Sequence, residues 1–519
     1  MVMMRSIRWV AVKAMQAHSD IFIIGGGING VGVARDAAGR GMSVTLVEQA
    51  DLAGATSSAS SKLIHGGLRY LENYEFGLVR HSLMERETLW KIAPHIITPL
   101  RFILPHHKGL RPALILRLGL FLYDYIGGRK LLPPTKRVNL SKDALGAPLS
   151  DEFKLGFEYS DCWVDDARLV VLNALGAEEL GAEICTRCSF VSAERKDDRW
   201  HIRVKADGGE TVEVTANMLV NAAGPWVDKV IGACKLTLKN KGAVRLVKGS
   251  HIVVPKLYEH SRAYTFQNAD GRVIFSIPYQ GDYTLIGTTD TPFDTDPRTA
   301  AADDGEVSYL CAAASEYFKA PLRADDVVWS YSGVRPLYDD GEKSASKTTR
   351  DYVLELMSPD GKPPLVNIYG GKVTTYRRLA EDVLEKLEPF ADYKNGPWTD
   401  NAPLPGGDLP GRANPAKALE DFTSDLASKA PWLPADLYKR LAASYGTRVT
   451  ELLGDAGSLE DLGEHFGAGL YAQEIEFLQR AEWAQTAEDV LWRRSKLGLH
   501  MAQEQRQRVE EWLAAEAAS

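Results

Sequence analysis

Residues 20–48, DIFIIGGGINGVGVARDAAGRGMSVTLVE, decide the fold. Asp20 leads into the apolar run Ile21-Phe22-Ile23-Ile24, and Gly25, Gly27 and Gly30 then spell G-x-G-x-x-G. A helical segment runs to about Gly41, and a second apolar run, Val44 to Val47, stops at Glu48. Strand, glycine turn, helix, strand and acid in this register predict a dinucleotide site. Gly25 permits the tight turn, Gly27 lets backbone approach a pyrophosphate, and Gly30 lets helix and strand pack closely. The helix start offers N–H groups and a positive dipole end to phosphates, which adds Gly26, Ile28 and Asn29 to the binding candidates. Glu48 is placed to accept hydrogen bonds from a ribose. The turn alone leaves the identity of the dinucleotide open.

At 519 residues the chain is long enough for two or three domains. Hydrophobic content of 45% and charged content of 25% are those of an ordinary globular protein. A net charge of −8 argues against a general nucleic-acid binder. Five scattered cysteines speak for a reducing compartment without a disulfide framework, and Cys185-x-x-Cys188 reads as a structural pair in a strand. No apolar run reaches the ~18 residues that a membrane span needs. Residues 1–18 are basic and mildly apolar and are expected to lie outside the fold.

Alternating apolar runs at 200–204, 211–214, 218–226, 248–254, 272–279 and 283–290 predict strands. Residues 19–100, 155–244 and 346–390 are expected to form a discontinuous cofactor domain. Residues 101–154 and 245–345 are expected to form a strand-rich substrate domain. A Pro- and Gly-rich stretch, 391–415, reads as a linker. Beyond it, 416–519 reads as a separate helical domain, in which Trp483, Trp492 and Trp512 leave core, homodimer contact and docking surface all open.

The second informative stretch is TSSASSKLIHGGLRY, residues 56–70. Thr56, Ser57, Ser58, Ser60, Ser61 and Lys62 offer hydrogen-bonding groups to phosphates or a flavin ring, and His65-Gly66-Gly67 follows directly. With GGGING (25–30), this stretch is followed in order by YSDCWVDDARL (159–169), KGSHIVVP (248–255), YSGVRPL (331–337), TRDY (349–352) and GGKVTTYR (370–377). Together these motifs closely resemble the FAD-dependent glycerol-3-phosphate dehydrogenases of the bacterial aerobic type, from about residue 18 to 515. The resemblance implies an α/β fold with a Rossmann-like FAD-binding domain of the glutathione-reductase type. A strand-rich α+β substrate domain and an all-helical C-terminal domain complete it.

The resemblance also implies a reaction. Oxidation of sn-glycerol 3-phosphate at C2 would give dihydroxyacetone phosphate, with FAD reduced and the electrons passed to a membrane quinone. A phosphate dianion needs fixed cations, and arginine donates two parallel hydrogen bonds. Arg335, Arg350 and Lys372 match the family motifs, with Arg69 and Tyr70 nearby. His65 and His251 are the candidate proton acceptors for the C2 hydroxyl, and Arg335 could polarise it instead. Gly371, Lys372, Thr374 and Thr375 open a helix expected at the flavin pyrimidine edge. Ala223, Gly224 and Trp226 end a strand at the cofactor, and Val191 is a candidate adenine contact. No metal-ligand spacing is present, His106-His107 being a lone pair.

Residues 101–137 break with the acidic chain. Arg101, Lys108, Arg111, Arg117, Arg129, Lys130, Lys136 and Arg137 flank LILRLGLFLYDYI (114–126) against one acid, Asp124. This pattern fits either a helix lying on an anionic membrane or a buried helix with basic flanks. A quinone-reducing role favours the first, with the protein peripheral on the cytoplasmic face of the cell membrane. An oxidase passing electrons to oxygen is the alternative enzyme. A flavin-binding scaffold without turnover is the alternative of another class.

Overall fold

The computed structural model describes residues 15–107, 109–206, 209–236, 244–268, 270–338 and 351–518. Its first sheet grows from the glycine turn. Strand His18–Ile24 runs parallel to Val44–Val47 on one side and to Thr211–Asn221 on the other. Leu365–Tyr369 and Glu183–Cys185 continue the parallel order outward. Such strands are covered on both faces, so they read as unbroken apolar runs, and Ile21, Phe22 and Ile23 are wholly buried. On one face Val31, Leu172 and Leu379 of helices Ile28–Gly39, Asp166–Glu178 and Tyr376–Leu387 share a core with Ile21 and Ile23. On the other, Phe22 and Ile24 pack against Trp200, Ile202 and Val204 of the antiparallel strand Arg199–Ala206.

The second sheet has ten strands among the described residues. Val244–Pro255 lies between Trp329–Tyr338 and Tyr283–Gly287, antiparallel to both. Leu155–Val164 pairs along its whole length with Ile97–His106 in the same sheet. That placement corrects the expected domain limits, which put 155–164 and 97–100 in the cofactor half. Local pattern marks a strand, but the sheet it joins is set by partners far away in sequence.

Two further expectations change. Residues 15–18, expected outside the fold, join it: Met15 is buried and Ala17 O accepts from Thr215 N at 3.0 Å. Residues 1–14 lie outside the described residues. The expected linker is a packed strap. Trp398 Nε1 donates to Asp36 O at 3.2 Å, and Arg35 Cζ lies 4.7 Å from the Trp398 ring. Arg35 Nη2 donates to Ala402 O and Pro403 O at 3.1 and 3.0 Å, while Leu404 is fully buried. Proline and glycine forbid regular structure there without forbidding packing. The C-terminal domain is helical as expected, with a small hairpin, His465–Gly467 with Leu470–Tyr471, and a π-helix, Asp489–Arg494, among its helices.

The three tryptophans of that domain pack within the chain. Trp483 joins the first-sheet core, Trp492 stacks on Trp329 at 4.8 Å, and Trp512 meets Phe466 edge-on at 6.1 Å. The basic apolar segment forms helix Ala113–Tyr125, whose Leu114, Leu118 and Phe121 are 78%, 60% and 56% exposed. A fully buried helix is thereby excluded. No described helix is long and apolar enough to cross a membrane.

Replacing Trp398 with Ala is expected to lower stability by about 2 kcal/mol, because packing and a hydrogen bond are both lost. Chemical denaturation checks this, since a slack linker would respond by less than ~0.5 kcal/mol.

Candidate active site

Both sheets line a cavity of about 1020 Å³. That is at the top of the ~300–1,000 Å³ range usual for ligand pockets. One end is the glycine turn. A Cβ on Gly25 would sit 2.5 Å from Ala222 O, and one on Gly30 would sit 2.0 Å from Gly25 O. Strand, turn and helix therefore meet only where side chains are absent. Gly27 caps helix Ile28–Gly39 without a side-chain bond, and Ile28 N donates to Ser57 Oγ at 3.0 Å. Glu48 borders the cavity, its oxygens accepting from Gly26 N at 2.7 Å and Ala50 N at 2.9 Å. Burial pushes the Glu48 carboxyl pKa up, against those bonds.

The other end is built by a turn more than three hundred residues later. Gly370 and Gly371 have φ of 70° and 96° and lead through Lys372 into helix Tyr376–Leu387. Asn29 Nδ2 donates to Gly370 O at 3.1 Å, which joins the two ends directly. Lys372 Nζ is buried without a hydrogen-bond partner and lies 3.8 Å from the centre of the Tyr70 ring. Burial pushes its pKa down. Asn29 Oδ1 is likewise buried and unpartnered.

Between the ends stand the candidate reactive groups. Thr374 Oγ1 accepts from His65 N at 3.2 Å. His251 is buried, shares a 2.8 Å hydrogen bond between its Nε2 and Ser61 Oγ, and stacks on Tyr331 at 4.9 Å. Burial holds both imidazoles below their usual pKa, so each is neutral at pH 7. Arg335 Nη1 pairs with Asp290 at 2.9 Å and Nη2 donates to Thr288 Oγ1 at 3.0 Å. It crosses Gly249, where a Cβ would be 2.4 Å from its guanidinium.

The cavity wall gathers Gly25, Gly27, Ile28, Asn29, Glu48, Thr56, Ser57, Ser60, Ser61, His65, Gly67, Arg69, Tyr70, Val191, Ala223, Gly224, Trp226, His251, Arg335, Gly371, Lys372 and Thr374. Others do not reach it. Gly26 and Gly30 shape the turn from behind. Ser58 Oγ donates to its own loop at Ala55 O, and Thr375 is buried. Gly66 N turns away to Tyr123 OH at 2.8 Å, and that hydroxyl in turn donates to Asp161. Lys62 is the clearest correction: its Nζ is buried on Asp166 at 2.9 Å and on Ser58 O at 2.9 Å. The Ser60 hydroxyl also points to Asp166, at 2.7 Å. Arg350 lies outside the described residues, as does Lys108. Lys229, Arg272, Phe275, Asp290 and Arg298 also line the cavity and were not foreseen. Of these, Arg272 and Phe275 lie in the strand-like run 272–279 and Asp290 ends the run 283–290, but nothing in those runs marked them as cavity residues.

Residues 20–377 match the family described as FAD dependent oxidoreductase. The chain belongs to that family. Residues 397–518 of this FAD-dependent oxidoreductase match the C-terminal domain of alpha-glycerophosphate oxidase. A glycerol-3-phosphate dehydrogenase of Pseudomonas aeruginosa is 51% identical, covering 96% of this chain and 95% of that protein. A D-erythritol 1-phosphate dehydrogenase of Brucella abortus is also 51% identical, covering 95% and 97%. The solved glycerol-3-phosphate dehydrogenase of Bacillus halodurans, complexed with FAD, aligns with a TM-score of 0.74 at 28% identity, covering 96% of this chain and 95% of that one. The residues present fit FAD. The glycine cradle admits backbone-close phosphates, and Asn29 Oδ1 at that turn and Lys372 Nζ at the other end, buried without hydrogen-bond partners among the described residues, suit polar ligand atoms.

Replacing Lys372 with Met should raise the stability of the FAD-free protein by about 1 kcal/mol, because a desolvated ammonium without a hydrogen bond is removed. The same change should weaken substrate binding at least ~10-fold. Denaturant midpoints and substrate titration of the two proteins check both.

Proposed function

We propose that this oxidoreductase converts sn-glycerol 3-phosphate to dihydroxyacetone phosphate and delivers the electrons to a membrane quinone. Lys372 carries the reading: a buried ammonium on the cavity wall, without a hydrogen-bond partner among the described residues, suits a phosphate dianion. The near full-length likeness to glycerol-3-phosphate dehydrogenases supports it. Bound FAD supplies the acceptor for a hydride from C2. Gly25, Gly27, Glu48, Ser57 and Ala223 would hold its nucleotide half, and Gly371 and Thr374 would border its ring. Lys372, Arg335 and Arg69 bind the phosphate and orient C2. His65 or His251, each neutral, takes the hydroxyl proton. Thr374 fixes the His65 backbone, while Asp290 keeps Arg335 from swinging into solvent.

The acceptor is read from the outer end of the cavity. Ile115, Leu118 and Leu122 of the exposed helix line it together with His65 and Tyr70, so an apolar path leads from the reacting groups to that helix. Exposed Leu114 and Phe121, with Arg111 and Arg117 alongside, suit an anionic lipid surface on which the protein lies peripherally.

A four-carbon substrate is the second reading, since the erythritol-phosphate enzyme is equally similar. Anaerobic bleaching of the bound flavin by each polyol phosphate separates them. Glycerol 3-phosphate should bleach it at the lower concentration. A preference for D-erythritol 1-phosphate transfers the proposal to that substrate, and no bleaching by either refutes both. In vesicles of anionic lipid, substrate should reduce a quinone analogue with little peroxide, whereas peroxide as the main product would mark an oxidase. Charge reversal at Arg111 and Arg117 should lower co-sedimentation with those vesicles about ten-fold.

A further inference from the structure

Among the described residues the C-terminal domain contributes no side chain to the cavity wall, yet its segment 482–500 grips the loop that does. That loop, 49–61, runs from Glu48 toward His65, and most of its residues line the cavity. Asp51, near its start, is 3% exposed and receives three guanidinium bonds. Arg493 Nε donates at 2.6 Å, and Arg494 Nη1 and Nη2 donate at 2.8 Å each. Arg494 is fully buried, and its Nη2 also donates to Glu482 O at 2.6 Å. Arg493 and Arg187 both pair with Asp489, at 2.5 and 2.7 Å, while Arg187 N donates to Ala50 O at 2.9 Å. The same segment also reaches the loop's other end. Lys496 Nζ stands 4.0 Å from Asp165, next to Asp166, which holds Ser60 and Lys62. Trp492 on Trp329 and Tyr283 OH donating to Leu499 O at 2.8 Å tie the segment to the second sheet.

Asp51 lies three residues past Glu48, and Ala53 N donates to Gly26 O at 3.2 Å. A shift at Asp51 therefore moves both walls of the nucleotide end. The Arg493–Arg494 pair also sits on a π-helix, a rare form found frequently at functional sites. We propose that segment 482–500 is a latch on the cofactor loop, and that Arg493 and Arg494 are positioning residues for FAD retention, acting through Asp51. Binding of FAD and docking of the C-terminal domain are then linked, each strengthening the other by the same factor.

The test is the rate of FAD release from purified holoenzyme after dilution, followed by flavin fluorescence. Arg494→Met is expected to release FAD about ten-fold faster or more, with Arg494→Lys recovering part of the loss. Val509→Ala loosens the core of the same domain without touching Asp51, and is expected to lower Tm while leaving release unchanged. Should Arg494→Met fail to fold, Arg493→Gln and Asp51→Asn give the same reading. Release from the Asp51-contact variants equal to that of the unsubstituted protein overturns the proposal. So does equal acceleration by Val509→Ala, which would reduce the contact to general stability.

Discussion

The buried pair of Lys62 and Asp166 is the contact on which the rest of the molecule turns. Neither side chain sees solvent, with relative exposures of 1% and 0%. Removing one partner of such a pair strands the other and costs about 3–5 kcal/mol. Asp166 begins helix Asp166–Glu178 of the cofactor half, whereas Lys62 leads into the second sheet at Leu63–Ile64. Tyr331 of that sheet lies over the Lys62 ammonium at 4.9 Å and donates to Ser60 O. The serine loop is thus pinned where the two sheets meet, and the C-terminal domain closes over the same point through Lys496. Loop shape, not only loop composition, makes the cavity wall.

Charge is distributed against the chain average. A protein of net charge −8 lines its cavity with Arg69, Arg111, Arg272, Arg335 and Lys372. An acidic exterior around a cationic cleft draws phosphate-bearing ligands to one place and repels them elsewhere. Desolvation of Lys372 sharpens this, since among the described residues its ammonium has the Tyr70 ring face but no hydrogen-bond partner. Stability at that residue is given up for affinity.

Features set by neighbours in sequence were legible before the structure. The glycine turn, Glu48 and the apolar parallel strands follow from local sterics and burial, and each stands where expected. The serine loop was recognisable as special, yet Lys62 looked like a ligand contact because its partner, Asp166, lies 104 residues away, and the hold of Asp166 on the Ser60 hydroxyl, across 106 residues, was equally hidden. Strand Leu155–Val164 went to the wrong half for the same reason: a pattern shows burial, not the partner. The Pro- and Gly-rich strap was misread because composition reports the absence of helix and strand, while Trp398 and Arg35 decide the packing. The latch was invisible, as Arg493 and Arg494 are 442 and 443 residues from Asp51.

The hydrogen bond from Asn29 to Gly370 has a consequence in time. It closes the cavity across 341 residues of chain. During synthesis at roughly 5–20 residues per second, about 20–70 s separate the emergence of the glycine turn from that of its counterpart. Throughout that interval the glycine turn and its acid are a half-built receptacle with nothing to hold a flavin ring. Cofactor capture therefore waits for Gly370 to emerge, and a product terminated before that residue would be colourless.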